Sequence, residues 1–277
     1  MQHAAFEPPP PPPPERPELP EGVAPRWPAW YAGVGFLVAL IFTVIVVGIV
    51  AAATGASTDD ETPTFTVIAT FLQGVIFIGT AVMFASFTRR PRPEHFGLRP
   101  ARFWPAVGWA AAGMATFYTL VAIYTVIVQP DVEQSVAQDL GADQGTFGMI
   151  AAGFMVICVA PVAEEFFFRG FFYRALRSRW SVLGAAGIDG LLFGVIHYDF
   201  SGADALLILP PLAVLGFIFC LVYERTGSIY PTIAMHSLNN AIAFGVTIHE
   251  PGVSLVLGPL MLLACATVPR AQRAAMA

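Results

Sequence analysis

The chain has no lysine: all fourteen basic residues are arginine, and charged residues of both signs occupy only 12% of its 277 positions. Soluble domains carry about a quarter, so a solvated globular surface is excluded. Cysteine is also scarce, with Cys158, Cys220 and Cys265 all in apolar runs. They show neither metal-type spacing nor a paired extracellular pattern, which leaves them as ordinary core residues. The HExxH helix of many zinc peptidases is missing as well. No nucleic-acid partner is expected.

Apolar sequence dominates instead, at 56% hydrophobic residues and a mean hydropathy of +0.67. Several runs exceed the roughly 20 residues that cross a bilayer as a helix. The expected fold is all-α, a polytopic membrane helix bundle of about eight transmembrane helices. They are placed near 29–53, 64–88, 105–128, 146–173, 181–198, 205–223, 229–248 and 252–268. The bundle is thus 29–268, preceded by a tail over 1–28 containing "PPPPPPPERPELPEG". That composition forms a solvated spacer rather than a packed element. Residues 269–277 are read as a short second tail. The first apolar run is too long for a signal-peptide core, and it follows an acidic, proline-rich stretch.

Arginine sets the expected orientation. With eight alternating crossings, thirteen of the fourteen arginines fall on one side, while Asp59, Asp60, Glu61, Asp131, Glu133, Asp139, Asp143, Asp199, Asp204 and Glu250 fall on the other. Basic residues stay cytoplasmic, which puts both termini in the cytoplasm. Abundant alanine with arginine replacing lysine suggests a GC-rich bacterial genome, and so a multi-pass protein of the bacterial plasma membrane.

The fourteenth arginine lies inside the fourth span, in "PVAEEFFFRGFFY" (161–173). Each charge at a bilayer centre costs about 2.5–3.5 kcal/mol on insertion scales. Glu164, Glu165 and Arg169 must therefore face the bundle interior or a wet cavity. Glu165 and Arg169, four apart, share a helix face and can pair. Glu164 lies about 100° away around the helix, free for another task. The fifth span, "GIDGLLFGVIHYDF", aligns Asp189, Phe193 and His197 at intervals of four, and the seventh, "GSIYPTIAMHSLNNAIAFG", places His236 four before Asn240. Few other titratable side chains occupy the spans, so one shared site is the economical reading. A carboxylate with a histidine can activate water, and a second histidine with an asparagine amide can stabilise an oxyanion. Glu164, His197 and His236 are equally sound zinc ligands. Ser237, next to His236, faces elsewhere on its helix. His3, His95 and His249 lie in tail, loop and helix end, without signs of catalysis.

EExxxR, FxxxH and HxxxN, in that order on successive membrane helices, resemble the CPBP family of intramembrane proteases. This group of CAAX proteases and bacteriocin-processing enzymes is also called Abi. The resemblance covers about 146–245. It implies an intramembrane endopeptidase acting near the C-terminus or membrane-proximal part of a peptide or lipidated protein. Carried over, Glu164 and His197 activate water, His236 and Asn240 stabilise the oxyanion, and Glu165 with Arg169 orders the site. Metal-free and zinc mechanisms are both in keeping with the family. The metal-free one is favoured because asparagine is a poor zinc ligand and four strong ligands are not evident. Asp189 falls outside the family pattern, as a candidate partner for Arg169.

A cytoplasm-facing site is expected. Regular helices place Glu164 some 15 Å, His236 some 10 Å and His197 about 24 Å from their cytoplasmic ends. Their convergence therefore requires tilt, or an interfacial start to the fifth helix through the segment "RALRSRW". The competing readings are a non-proteolytic scaffold or immunity protein using the same residues as a buried polar latch, and a proton-coupled transporter. The transporter is disfavoured by the lack of an internal repeat or paired broken helices.

Overall fold

A computed structural model describes residues 27–54, 62–130, 135–198 and 204–276. The proline-rich stretch and the acidic residues 59–61, 131, 133 and 199 lie outside them. The described residues are helical or in turns, with no strand among them. We number the helices α1 (Trp30–Thr54), α2 (Pro63–Ser86), α3 (Phe103–Val128) and the short α4 (Val136–Asp139). There follow α5 (Gly145–Leu176), α6 (Val182–Val195), α7 (Leu209–Thr226), α8 (Tyr230–Ile248) and α9 (Gly252–Met276).

Six of these, α1, α2, α3, α5, α7 and α9, contain segments long and apolar enough to cross a membrane. The chain is a multi-pass membrane protein. The other two expected spans form helices that are shorter or less apolar. Helix α6 has 14 residues, about 21 Å against a hydrocarbon core of roughly 30 Å. Helix α8 has 19 residues, but His236, Ser237, Asn239 and Asn240 dilute its apolar character. The two helices that depart from the membrane pattern are thus those bearing the histidine motifs. Helix α9 runs to Met276, beyond the expected limit at 268.

Helix α5 is the hub. Every residue from Phe166 to Tyr173 is buried, because neighbours cover this part of the helix on all sides. Phe167 stacks on Phe77 of α2, Phe168 and Phe172 meet Phe36 of α1, and Phe168 meets Phe193 of α6 edge-on. Phe166 stacks on Phe96 from the loop between α2 and α3, at 4.5 Å between centroids. Trp27 packs on both Phe96 and Phe171. Gly170 permits this closeness, since a Cβ there would come within 2.8 Å of the Phe96 carbonyl oxygen. Helix α1, by contrast, exposes Leu37, Ile41, Val44 and Ile49, the surface expected of a lipid-facing helix.

Helices α6 and α7 form a tight antiparallel pair. A Cβ on Gly190 would lie 2.5 Å from the Ala213 carbonyl oxygen, and one on Gly194 would lie 2.9 Å from that of Leu209. Small residues four apart let membrane helices approach backbone to backbone. On the side of the arginine-rich loop, Gly97 adopts φ 79°, which glycine tolerates, and its carbonyl accepts a hydrogen bond from Ile229 N–H at 3.0 Å. The Arg99 guanidinium donates to the Gly227 carbonyl.

Candidate active site

Two π-helical stretches interrupt α5, at Met155–Val159 and Phe166–Tyr173, on either side of the glutamate pair. Such turns often mark functional sites because they re-aim side chains within a continuous helix. The rod then ends at Leu176 and turns tightly into α6, whose N-terminus is capped by the Ser181 hydroxyl accepting from Gly184 N–H. Helical irregularity, rather than a surface-running extension through "RALRSRW", accompanies the convergence. The shortness of α6 completes it, since His197 sits in a turn just beyond the helix end.

Glu165 and Arg169 pair as their spacing implies, with Arg169 Nη1 donating to Glu165 Oε1 at 2.9 Å and both side chains fully buried. Arg169 Nη2 donates to the Gly216 carbonyl at 2.9 Å and lies 3.6 Å from Asp189 Oδ1. Asp189 is therefore an ion-pair partner of Arg169. The guanidinium also lies over the rings of Phe193 and Phe219, 4.6 and 5.0 Å from their centroids. Desolvating a guanidinium this completely is tolerable only with such paired charge and hydrogen bonding.

Glu165 Oε1 also lies 3.1 Å from His236 Nδ1. An ionised carboxylate only accepts, so Nδ1 carries the hydrogen and Nε2 is turned to the other side. There it stands 3.9 Å from Glu164 Oε2. His197 Nε2 stands 3.9 Å from the same oxygen. His197 Nδ1 lies 2.6 Å from the Phe193 carbonyl oxygen, an acceptor only, so its Nε2 presents a lone pair in the neutral ring. The FxxxH motif thereby acts in two ways: Phe193 packs under Arg169, and its carbonyl orients the imidazole.

Glu164 Oε2 has no hydrogen-bond partner among the described residues. Separations of 3.9 Å exceed a direct hydrogen bond and leave room for a bridging water. Glu164 and His197 keep 17% and 28% of their side-chain surface, against 0% for Glu165 and 4% for His236. The two adjacent glutamates thus differ as their 100° separation implies, one locked in the core and one facing a cavity. That cavity, of about 240 Å³, is lined by Glu164, His197, His236 and Asn240 together with Gln73 and Asn239.

Asn240 Nδ2 donates to the Val156 carbonyl in the first π-helical stretch at 2.9 Å, leaving one amide hydrogen uncommitted to it. Asn239 Nδ2 lies 3.4 Å from Asn240 Oδ1, and Tyr118 OH lies 3.3 Å from Asn239 Oδ1. Ser237 is fully buried and is not among the cavity-lining residues. His95 and His249 lie away from the site: His95 accepts from Arg92 N–H, and His249 ends α8 with φ 57°. Gln73 and Asn239 escaped the sequence reading, because a single neutral amide in an apolar run carries no spacing signal.

The three motifs come together at one cavity. Residues 146–242 match the family model described as Type II CAAX prenyl endopeptidase Rce1-like. The Rce1-like match takes in Glu164, Glu165, Arg169, His197, His236 and Asn240, and bears out the resemblance to CAAX proteases. It supports a CAAX protease-like hydrolase of the membrane. No curated protein and no solved structure matches the chain.

Proposed function

We propose that the protein is an intramembrane endopeptidase of the bacterial plasma membrane, acting on a membrane-proximal peptide bond of a peptide or lipidated protein. The observation that carries this reading is Glu164 Oε2, unpartnered and 3.9 Å from the Nε2 atoms of both His197 and His236 at the cavity wall. A water held between Glu164 and His197 meets two acceptors that can take its proton as it attacks the scissile carbonyl, which is general-base activation. The carbonyl oxygen becomes an oxyanion. It is met by the second amide hydrogen of Asn240 and, when the ring is cationic, by the Nε2–H of His236, whose Nδ1–H is held by Glu165. The proton then passes to the leaving amine. Glu165, Arg169 and Asp189 do not touch the substrate; they fix His236 and the turn of α5 that bears Glu164.

The latch reading suits Glu165, Arg169 and Asp189, which are wholly buried and mutually paired. It leaves Glu164 without a task. A zinc mechanism draws on Glu164, His197 and His236, yet among the described residues no three His, Cys, Asp or Glu side chains are grouped so as to hold a metal ion. The metal-free mechanism is proposed on the ground that asparagine, the remaining member of the motif set, is a poor zinc ligand.

The deciding experiment uses purified protein in detergent with fluorogenic prenylated and unprenylated C-terminal peptides, comparing wild type with Glu164→Gln. Removing a general base lowers turnover by roughly 10²–10⁴-fold, with an unchanged melting temperature and full activity retained in chelator. Activity lost in chelator and restored by zinc would assign the two histidines to a metal. A Glu164→Gln protein that melts early, with no cleavage by wild type, would favour the latch.

A further inference from the structure

Helix α8 presents two faces to two different spaces. One carries His236, Asn239 and Asn240 to the cavity at Glu164. The other, with Pro231, Ala234, Met235 and Leu238, floors a separate crevice of about 400 Å³ between α3 and α9. The two spaces share no lining residue. Small side chains carve the crevice: Ala106, Ala110 and Ala111 on α3, and Ala266 on α9. Its lining follows α3 from Phe103 to Met114, about 16 Å of helix. That is half of a hydrocarbon core of roughly 30 Å, the depth of one leaflet.

At the end where α3 and α8 begin, the crevice continues into a smaller hollow of about 90 Å³. Phe103, Ala106, Tyr230, Pro231, Cys265 and Ala266 line both. Here the walls gain Ser228 and Arg270, and no acidic residue lines either part. The exposed Arg270 guanidinium lies over the Phe103 ring, 4.2 Å from its centroid. Stacking uses the face of a guanidinium and leaves its in-plane donors, whose geometry matches phosphate. Arg102, also exposed, directly precedes Phe103. Trp104 follows, 77% exposed, and tryptophan is enriched at the level of the lipid headgroups. The crevice is therefore cationic at headgroup depth and apolar below it.

We propose that it is a binding site for an anionic phospholipid of the arginine-side leaflet, with an acyl chain between α3 and α9 and the phosphate at Arg270. Basic pockets between spanning helices on the cytoplasmic side select acidic headgroups in this way. A partner's spanning helix needs the full depth of the bilayer, twice that of the crevice, and a free phosphate leaves the apolar length unfilled. Bound there, the lipid braces α8 from behind, on the face away from His236 and Asn240.

The experiment counts lipids retained by the delipidated protein in native mass spectrometry and follows its melting temperature in detergent. Phosphatidylglycerol and phosphatidylcholine with identical chains are compared, with glycerophosphate as the headgroup alone. Phosphatidylglycerol should be retained in preference to phosphatidylcholine and should raise the melting temperature. Arg270→Gln should weaken its binding about fivefold, the contribution of one arginine near the membrane surface. Arg90→Gln, exposed on the same side but outside the crevice, should not. Val107→Trp, at the exposed rim, should bar the chain and remove the thermal shift without changing lipid-free melting. Ala110→Phe fills the crevice from within and supplies a second block. Equal retention of the two lipids, equal weakening by Arg90→Gln, or undiminished binding in both blocked variants overturns the proposal. So does the same thermal shift with glycerophosphate alone, which assigns the site to a free anion. A lipid-free dimer that Ala110→Phe dissociates gives the crevice to a second copy of the chain and overturns it too. None of these readouts depends on peptide cleavage, so the lipid site stands or falls apart from the hydrolase reading.

Discussion

His236 Nδ1 lies 3.1 Å from Glu165 Oε1, and the same carboxylate oxygen takes a hydrogen bond from Arg169 at 2.9 Å. One buried oxygen thus ties the third motif to the first. Through it, the charge that steadies α5 also sets the direction of an imidazole on α8.

Glu165→Gln should accordingly destabilise the protein, although Glu165 lines no part of the cavity. It leaves Arg169 buried with Asp189 as its remaining anionic partner, and breaking a buried pair costs about 3–5 kcal/mol. Thermal unfolding in detergent should show a clear drop for Glu165→Gln and none for Glu164→Gln. Equal melting of the two variants would refute the division of labour between the neighbouring glutamates.

Asn240→Ala separates an oxyanion role from a packing role. Loss of the hydrogen bond to the Val156 carbonyl costs about 1 kcal/mol of stability. Loss of an oxyanion donor lowers kcat by roughly 10²–10³-fold with little change in KM. A fall in KM-dependent binding at constant kcat would instead make Asn240 a substrate-binding amide.

Gly190→Ala should impair the site from a distance. The added methyl meets the Ala213 carbonyl oxygen and the Phe217 backbone nitrogen, at 2.5 and 2.8 Å, neither of which can rotate aside. Overpacking of this kind costs about 1–3 kcal/mol, and parting α6 from α7 displaces His197. Gly187→Ala on the same helix meets nothing within 4 Å and should match or slightly exceed wild-type stability. Paired melting and activity measurements on the two variants test this, and equal behaviour would count against close α6–α7 contact.

His95 makes stability fall in mild acid. Burial lowers its pKa below the ordinary 6.5, opposed by Glu94 and reinforced by Arg89, Arg174 and Arg92. Its Nδ1 accepts from Arg92 N–H at 3.0 Å, which the doubly protonated ring cannot do. Since the folded pKa lies below the unfolded one, the unfolded chain takes up the proton first. Stability is then complete above about pH 6.5 and declines as pH falls toward the folded pKa. In His95→Asn an Oδ1 replaces the accepting nitrogen without titrating, so this part of the melting profile between pH 7 and 5 should flatten. An unchanged slope would place the acid sensitivity elsewhere.

Much of this was legible in the sequence because membranes make polarity conspicuous. A charge within an apolar run needs a reason, so Glu164, Glu165, Arg169, His197, His236 and Asn240 stood out, and helical periodicity told the paired glutamate from the free one. The lengths of the helices were less legible. An apolar stretch around 181–198 reads as a span, yet close backbone contact at Gly190 and Gly194 goes with a helix of only 14 residues. Residue type and spacing thus determined the all-helical membrane class, the motifs and the Glu165–Arg169 pair, since these follow from local geometry and the cost of charge in lipid. Tertiary structure alone decided that three helices meet at Glu164, that Asp189 and the Gly216 carbonyl complete the arginine's shell, and that aromatic rings enclose the segment Phe166–Tyr173. Those outcomes depend on which faces of distant helices touch, and no periodicity along a single segment records that.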